Sequence, residues 1–328
     1  MRNLPKIELH CHLDGSVRVE TMLDIAKKEN IDLPSYDIND VKKLVQVPLD
    51  CTSLNEYLEK FDLPNKVTQT KENIKRVTFE LVEDVARENV KYIEIRFAPM
   101  LHMQKGLSIK EVIQSVLDGM NKACEIYDIK ANLILGCMRN MTLEDALKVI
   151  KEGEEFIGKG VVAVDLCGPE EEGFVSKYKD VIDFARSLGY RITIHAGEAA
   201  SGQNVIDAIN ILGAERIGHG VYIKDMKDAY DLVKSTNVTL EMCPTSNLHT
   251  KAVDKACNYP FFKFYKDGLS VTLNTDNRTV SNVDLTNEVS LIKDNFNMSD
   301  EDYKNIYLNT VNVTFADEDT KTWLRSLI

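Results

Sequence analysis

The chain has 328 residues, 44% hydrophobic and 28% charged, with 52 acidic against 40 basic side chains for a formal charge of −12. That is the profile of a globular protein with a substantial core, one large domain or two ordinary ones. The acidic balance, with no local Lys/Arg cluster to offset it, argues against nucleic acid or an anionic membrane as a partner.

The first segment, residues 6–13 (KIELHCHL), reads as a strand that the Gly15-Ser16 pair ends. Alternate strand side chains share a face, so His10 and His12 point the same way and Asp14 follows them. Two imidazoles one strand repeat apart can grip a metal ion; two core histidines are the alternative. Residues 17–70 hold three short helices around Leu33-Pro34 and Pro48-Leu49. Within them Leu54, Tyr57, Leu58, Phe61 and Leu63 recur at near-helical spacing. They either pack plainly against the rest of the fold or form an apolar lid with Phe61 nearest a substrate.

A long helix runs from the Thr70 cap to Asn89, with Ile74, Val77, Leu81 and Val85 on one face. Strand-like segments then recur at 91–98, 132–138, 161–167, 191–196, 216–221, 238–243 and 270–275, with helical stretches between them. Ser108 with Glu111 forms a capping box, and Thr142 with Asp145 a weaker one before a helix at 143–157. Shorter helices fit 176–188, 203–212, 225–235 and 259–267, and the tail from 283 reads as three more, with Trp323 on the last.

Strand then helix, eight times over, predicts an α/β fold of parallel units closed as a (β/α)8 TIM barrel, with extra helices inserted after strand 1 and at the C-terminus. The whole chain, 1–328, is then a single domain. An open doubly wound sheet is the runner-up, and no Gly-x-Gly-x-x-Gly follows any strand to support it. No apolar run approaches the roughly 18 residues of a membrane helix, and no basic-then-apolar leader opens the chain. The seven cysteines include no Cys-x-x-Cys pair, so a reducing cytoplasm is the expected location. No obligate protein partner is evident.

The polar residues fall where such a barrel needs them. His10, His12, Gly168, His195, His219 and Asp276 all lie at the C-terminal ends of strands, which would converge on one mouth. Three imidazoles and a carboxylate suit a borderline divalent metal, zinc first, with water completing the shell. Glu198, three residues beyond His195, is placed to give or take a proton. His219 is either a fourth imidazole ligand or a base acting on the water. His102 and His249 fall in loops and read as ordinary surface or rim residues. Strand four ends Asp165-Leu166-Cys167-Gly168, without the lysine that two-metal barrels commonly carbamylate, so one metal is expected. Cys243-Pro244 lacks the second cysteine of the Pro-Cys-x-x-Cys zinc deaminases.

The stretches LPKIELHCHLDGS, DLCGPE, HAGE, GHG, MCPTSN and LNTD stand in the order and spacing of the adenosine deaminase family. The chain resembles that family from residue 4 to about 280, including residues 71–99. The resemblance implies a metal-dependent barrel that hydrolyses adenosine and 2′-deoxyadenosine to the inosines and ammonia, with a small purine nucleoside as its partner. Carried over by motif, it implies one zinc ion per chain held by His10, His12, His195 and Asp276, with His12 also against the substrate. Glu198 would protonate purine N1, while His219 and Asp276 would orient and deprotonate the water that attacks C6. The Gly168 N–H would face N3, and Asp14 would hydrogen-bond the ribose. One departure stands out: many relatives follow the metal aspartate with a second aspartate, where this chain has Asn277. An asparagine amide donates to N7 at any pH, whereas an aspartate must first be protonated. The rival reading is a deaminase of adenine or another aminopurine, whose relatives usually carry Glu at the Asp14 position and Ser at Thr275. A purine-binding protein without turnover would show a damaged acid or ligand, and none is visible.

Overall fold

A computed structural model describes residues 1–48 and 51–328. Its centre is a ring of eight strands: β1 (Lys6–His12), β2 (Val90–Phe97), β3 (Lys130–Met138), β4 (Val161–Cys167), β5 (Arg191–Ala196), β6 (Arg216–His219), β7 (Thr239–Met242) and β8 (Val271–Leu273). They pair in sequence order, and every ladder is parallel. This is the expected (β/α)8 barrel, with strands within a residue or two of their sequence-based limits. No helix among the described residues is long and apolar enough to cross a membrane.

The helices start where local chemistry dictates. Thr70 accepts the Asn73 N–H at the head of Lys71–Arg87, and Ile74, Val77, Leu81 and Val85 bury the face turned to the sheet. Ser108 and Glu111 close a full capping box before Ile109–Cys124. Thr142 and Asp145 also make both capping bonds, so the expected weakness of that cap is corrected. Among the described residues, four α-helices rather than three lie between β1 and the first barrel helix: Val19–Glu29, Ile38–Val45, Leu54–Leu58 and Asp62–Val67. Of the pair at 48–49, Leu49 lies outside the described residues. The tail forms the three expected helices, Leu285–Phe296, Asp300–Val313 and Glu318–Arg325, the last carrying Trp323. Sequence reasoning missed the helix Pro244–His249 directly after β7; its six residues are too few to display a period.

Two features of the ring position the site. The seam between β1 and β8 is closed at the top by main-chain bonds, His12 N–H to Asp276 O at 2.7 Å and Asp276 N–H to His10 O at 2.8 Å. Lower down, side chains do the closing. Leu9 N–H donates to Asn274 Oδ1 at 3.0 Å, and Thr275 N–H and hydroxyl donate to Glu8 Oε2 at 3.0 and 2.7 Å. The second feature is charge inside the ring. Glu94, Arg96, Asp165, Arg216 and Glu241 are all buried in the strands. Such residues are buried only when paired. Arg96 accordingly grips Asp165 at 3.0 Å and Glu241 at 2.6 Å, and Arg216 grips Glu94 at 2.5 Å.

Candidate active site

Directly above the Arg96 pairs, at the C-terminal strand ends, four imidazoles and one carboxylate meet. His10 and His12 rise from β1, His195 from β5 and His219 from β6, and Asp276 follows β8. His12 Nε2 lies 3.3 Å from His195 Nε2, and Asp276 Oδ1 lies 3.4 Å from Nε2 of both His10 and His12. Atoms bound tetrahedrally to one zinc at ~2.0–2.1 Å stand about 3.3–3.4 Å apart. The site is therefore the right size for that ion. Gly218 makes the convergence possible: a Cβ there would fall 2.9 Å from His10 Cε1.

The far side of each ring decides which imidazoles can be ligands. His10 Nδ1 faces Glu241 Oε2 at 2.9 Å, and His195 Nδ1 faces Asp165 at 2.9–3.0 Å. An ionised carboxylate only accepts, so both rings carry the proton on Nδ1 and turn a bare Nε2 lone pair inward. Nε2 of His10 is buried with no hydrogen-bond partner, as a ligand atom awaiting a metal would be. His219 is built the other way. Tyr259 donates to Asn247 Oδ1 at 2.8 Å, which leaves the Asn247 amide N–H to donate to His219 Nδ1 at 3.0 Å. The His219 proton then sits on Nε2, 3.4 Å from Glu198 Oε2. Although its ring nitrogen lies within 4.8 Å of the ligand atoms of His10, His195 and Asp276, its tautomer makes it a donor into the site. Burial holds His12 and His219 well below the usual imidazole pKa, so both stay neutral.

The two carboxylates at the centre are driven apart. Burial pushes Glu198 well above the usual carboxyl range, and the nearby charges of Asp276 and Glu170 push it further. Burial acts on Asp276 in the same sense, but the imidazoles of His10, His219 and His12 around it outweigh it and hold the group well below its ordinary value. Ser246 donates to Asp276 Oδ2 at 2.6 Å. One carboxyl is thus kept as an acid and the other as a base, a pair suited to moving protons in opposite directions.

A cavity of about 400 Å3 opens over this centre, lined by His12, Asp14, Phe61, Gly168, His195, Glu198, His219, Asp276 and Asn277 among others. That volume is in the range of small-molecule sites. The sequence-based site residues are thereby gathered in one place, with His10 beneath the floor. Asp14 sits in the single turn Asp14–Ser16 after β1 rather than on the strand. Its Oδ1 is buried without a partner, and burial raises its pKa to about 7. Asn277 turns Oδ1 against Gly15, where even a Cβ would stand 1.9 Å away. Its side chain also lines the cavity. Gly168 adopts φ +93°, open to glycine at little cost, and Arg139 N–H holds the Cys167 carbonyl at 2.8 Å. Because the peptide is trans, the Gly168 N–H points the opposite way. Phe61 is half-buried on the cavity wall with Leu54 and Leu58, while Tyr57 behind them bonds Ser281 Oγ at 2.7 Å.

Some sequence-based expectations fail. His102 is not a surface residue: it is buried, its Nδ1 2.9 Å from Thr68 Oγ1, and burial lowers its pKa to about 4. His249 is half-buried rather than free at the rim. Sequence reasoning also passed over Asp165, Glu241 and Arg96. Their signal was present, since each is a charged residue on a largely buried strand. Asn247 gave no comparable signal.

A family model described as adenosine deaminase matches residues 5–328. The adenosine deaminase of Clostridium botulinum (strain Okra / Type B1) is 60% identical over 327 residues, covering 100% of this chain and 98% of that protein. The solved structure of an Arabidopsis N6-mAMP deaminase is similar with a TM-score of 0.89 at 30% identity, over 99% of this chain and 98% of that one. An adenine deaminase from Arthrobacter aurescens is similar with a TM-score of 0.91 at 24% identity, over 99% and 98% of the two chains. At that identity the likeness shows the fold alone.

Proposed function

The chain belongs to the adenosine deaminase family, and from that premise we propose that it hydrolyses adenosine and 2′-deoxyadenosine to the inosines and ammonia through the residues gathered at its barrel mouth. The observation that carries the mechanism is geometric: the buried Glu198 lies 3.4 Å from the His219 ring, beside the cluster of His10, His195 and Asp276, under one cavity. His10, His12, His195 and Asp276 would hold one divalent metal, with zinc favoured by three imidazoles and a carboxylate at this spacing. When bound, that metal supplies Lewis-acid activation of a water molecule.

The chain's own groups do the rest. Glu198 gives its proton to purine N1, which draws electrons from C6 and opens it to attack by water. Asp276 takes the proton that the water releases, and the His219 Nε2–H bonds the attacking oxygen. Asp276 passes that proton to the 6-amino group, and as the tetrahedral carbon collapses to C6=O the C6 hydroxyl proton restores Glu198, so ammonia leaves and both carboxyl groups return to their starting states. The Gly168 N–H faces N3, the Asp14 carboxylate accepts from the ribose, and the Asn277 amide donates to N7. Phe61, with Leu54 and Leu58, covers the bound purine and excludes bulk water. If Asn277 makes that bond, 7-deazaadenosine strands a buried donor at a cost of ~1–3 kcal/mol. It is expected to bind about tenfold or more weakly in an inhibition assay; equal affinity would remove Asn277 from the recognition.

The cavity wall also favours a nucleoside over a nucleotide. Among the described residues its lining includes no lysine or arginine, and it does include Glu59 and Asp62. A 5′-phosphate would meet carboxylates where it needs cations. The test is an ultraviolet assay of adenosine, adenine and AMP, each with and without a chelator. Loss of adenosine far ahead of the other two, stopped by chelation, is the expected result. Preferred turnover of adenine or AMP would keep the barrel and overturn the substrate. The seven thiols, none paired, suit the reducing cytoplasm in which we place this activity.

A further inference from the structure

The loop after β4 carries a carboxylate that the chemistry above leaves unused. Glu170 Oε1 accepts the Gly197 N–H at 2.7 Å and the Asn204 side-chain N–H at 3.0 Å. Its Oε2 accepts the N–H groups of Glu198 at 2.9 Å, Ala199 at 2.7 Å and Ala200 at 3.2 Å. One side chain therefore collects every backbone N–H from 197 to 200, the stretch that carries Glu198. A carboxylate with five donors is tightly fixed, because charge-assisted bonds are roughly twice as strong as neutral ones.

The other side of the stretch is fixed too. The Gly197 carbonyl accepts Tyr222 N–H at 2.9 Å. Asn204, fully buried, braces Glu170 from behind, accepting Gly173 N–H at 3.0 Å and donating to the Glu171 carbonyl at 3.0 Å. These bonds are not helix capping. The helix Gly202–Asn210 has its own cap, Ser201, whose hydroxyl accepts Gln203 N–H. Ser201 is in turn held by Glu172, through its N–H at 2.7 Å and its hydroxyl at 3.0 Å. The two glutamates divide the loop: Glu172 holds the helix start, and Glu170 holds the peptide units around the proton donor.

We infer that Glu170 is the positioning residue for Glu198, setting the backbone from which that acid reaches the substrate; this rests on the reading of Glu198 as the proton donor. A general acid must stand within hydrogen-bond reach of the atom it protonates, and a misplacement of about 1 Å can cost ~10²-fold in rate. Gln at 170 would keep one acceptor oxygen and turn an NH2 against the remaining N–H groups, so part of the clamp would become donor against donor.

The test compares kcat and KM for adenosine in the zinc-loaded wild type, Glu170→Gln, Glu198→Gln, the double variant and Glu172→Gln. Glu170→Gln should lose at least tenfold in kcat with zinc still one per chain, and should cost no more than twofold further in the Glu198→Gln background. Glu172→Gln should stay within about twofold of the wild type. Hydrogen exchange in Glu170→Gln should quicken at 197–200 before it does elsewhere. Near-normal kcat in Glu170→Gln, losses that multiply in the double variant, or an equal loss in Glu172→Gln would each overturn the inference. If Glu170→Gln does not fold, Asn204→Ala, which removes one donor from the same carboxylate, must show the same non-additivity with Glu198→Gln. Wild type inactive on adenosine, or Glu198→Gln fully active, would instead overturn the reading beneath it.

Discussion

Glu198→Gln is expected to lower kcat by ~10²–10⁴-fold, the usual contribution of a positioned general acid, while the protein keeps its metal and its fold. Gln has the same shape, so the buried pocket stays filled, and its amide can still donate a hydrogen bond to N1. It cannot pass a proton, and the purine ring must then accept water without N1 protonated. The environment of Glu198 is arranged for the opposite outcome. Burial, with Asp276 and Glu170 close by, keeps its carboxyl protonated at pH values where an exposed glutamate is ionised. The acid form is the active one, so turnover should be full below this raised pKa and fall as pH rises through it. The variant should lose that alkaline limb along with its rate. Steady-state kinetics over a pH series, with metal content measured on the same samples, checks both statements. A Gln variant within tenfold of wild type would remove Glu198 from proton transfer.

Stripping the metal should abolish turnover and loosen the protein together. The proposed ligands come from β1, β5 and the segment after β8, and the carboxylates Glu241 and Asp165 face Nδ1 of His10 and His195, which leaves Nε2 of both rings turned inward. A ligand at a hundredfold excess over its Kd stabilises the folded state by about 2.7 kcal/mol. With an unfolding entropy of ~2.1 cal/mol/K per residue, that corresponds to a fall in Tm of about 4 °C for a chain of this length. Dialysis against chelator, followed by a calorimetric scan and titration back with zinc, should show activity and Tm returning together at one equivalent. Full turnover in protein holding less than a tenth of an equivalent of metal would exclude the role given to this cluster.

The barrel and the inner ring of its site were legible because both are written in short-range patterns. The two-residue repeat of a strand put His10 and His12 on one face. A histidine or aspartate at the end of a β-branched run stands out against its neighbours, as His195 and Asp276 do. What lay beyond reach were partnerships across the ring. Nothing in the sequence near His10 says that Glu241 will hold its Nδ1, or that Arg96 will hold Glu241 in turn. Such pairs join residues far apart in the chain, and only closure of the barrel fixes which inward charges meet. His102 misled for a related reason. It lies in a loop by sequence, yet its ring is buried and bonded to Thr68, thirty-four residues earlier in the chain. The tautomer of His219 needed three residues in space, Tyr259, Asn247 and the ring itself.

The seam between β1 and the end of β8 has a consequence for how the protein comes into being. The Leu9–Asn274 bond spans 265 residues, and the bonds joining His10 and His12 to Asp276 span as much of the chain. Contacts of such separation carry a large loop-closure entropy and form late. A chain emerging from the ribosome N-terminus first, at ~5–20 residues per second, holds two of its ligands idle until nearly the whole barrel has been made. No shorter product of the gene that ends before Asp276 can assemble the set. The four proposed ligands are thereby brought together only when β1 meets the segment after β8.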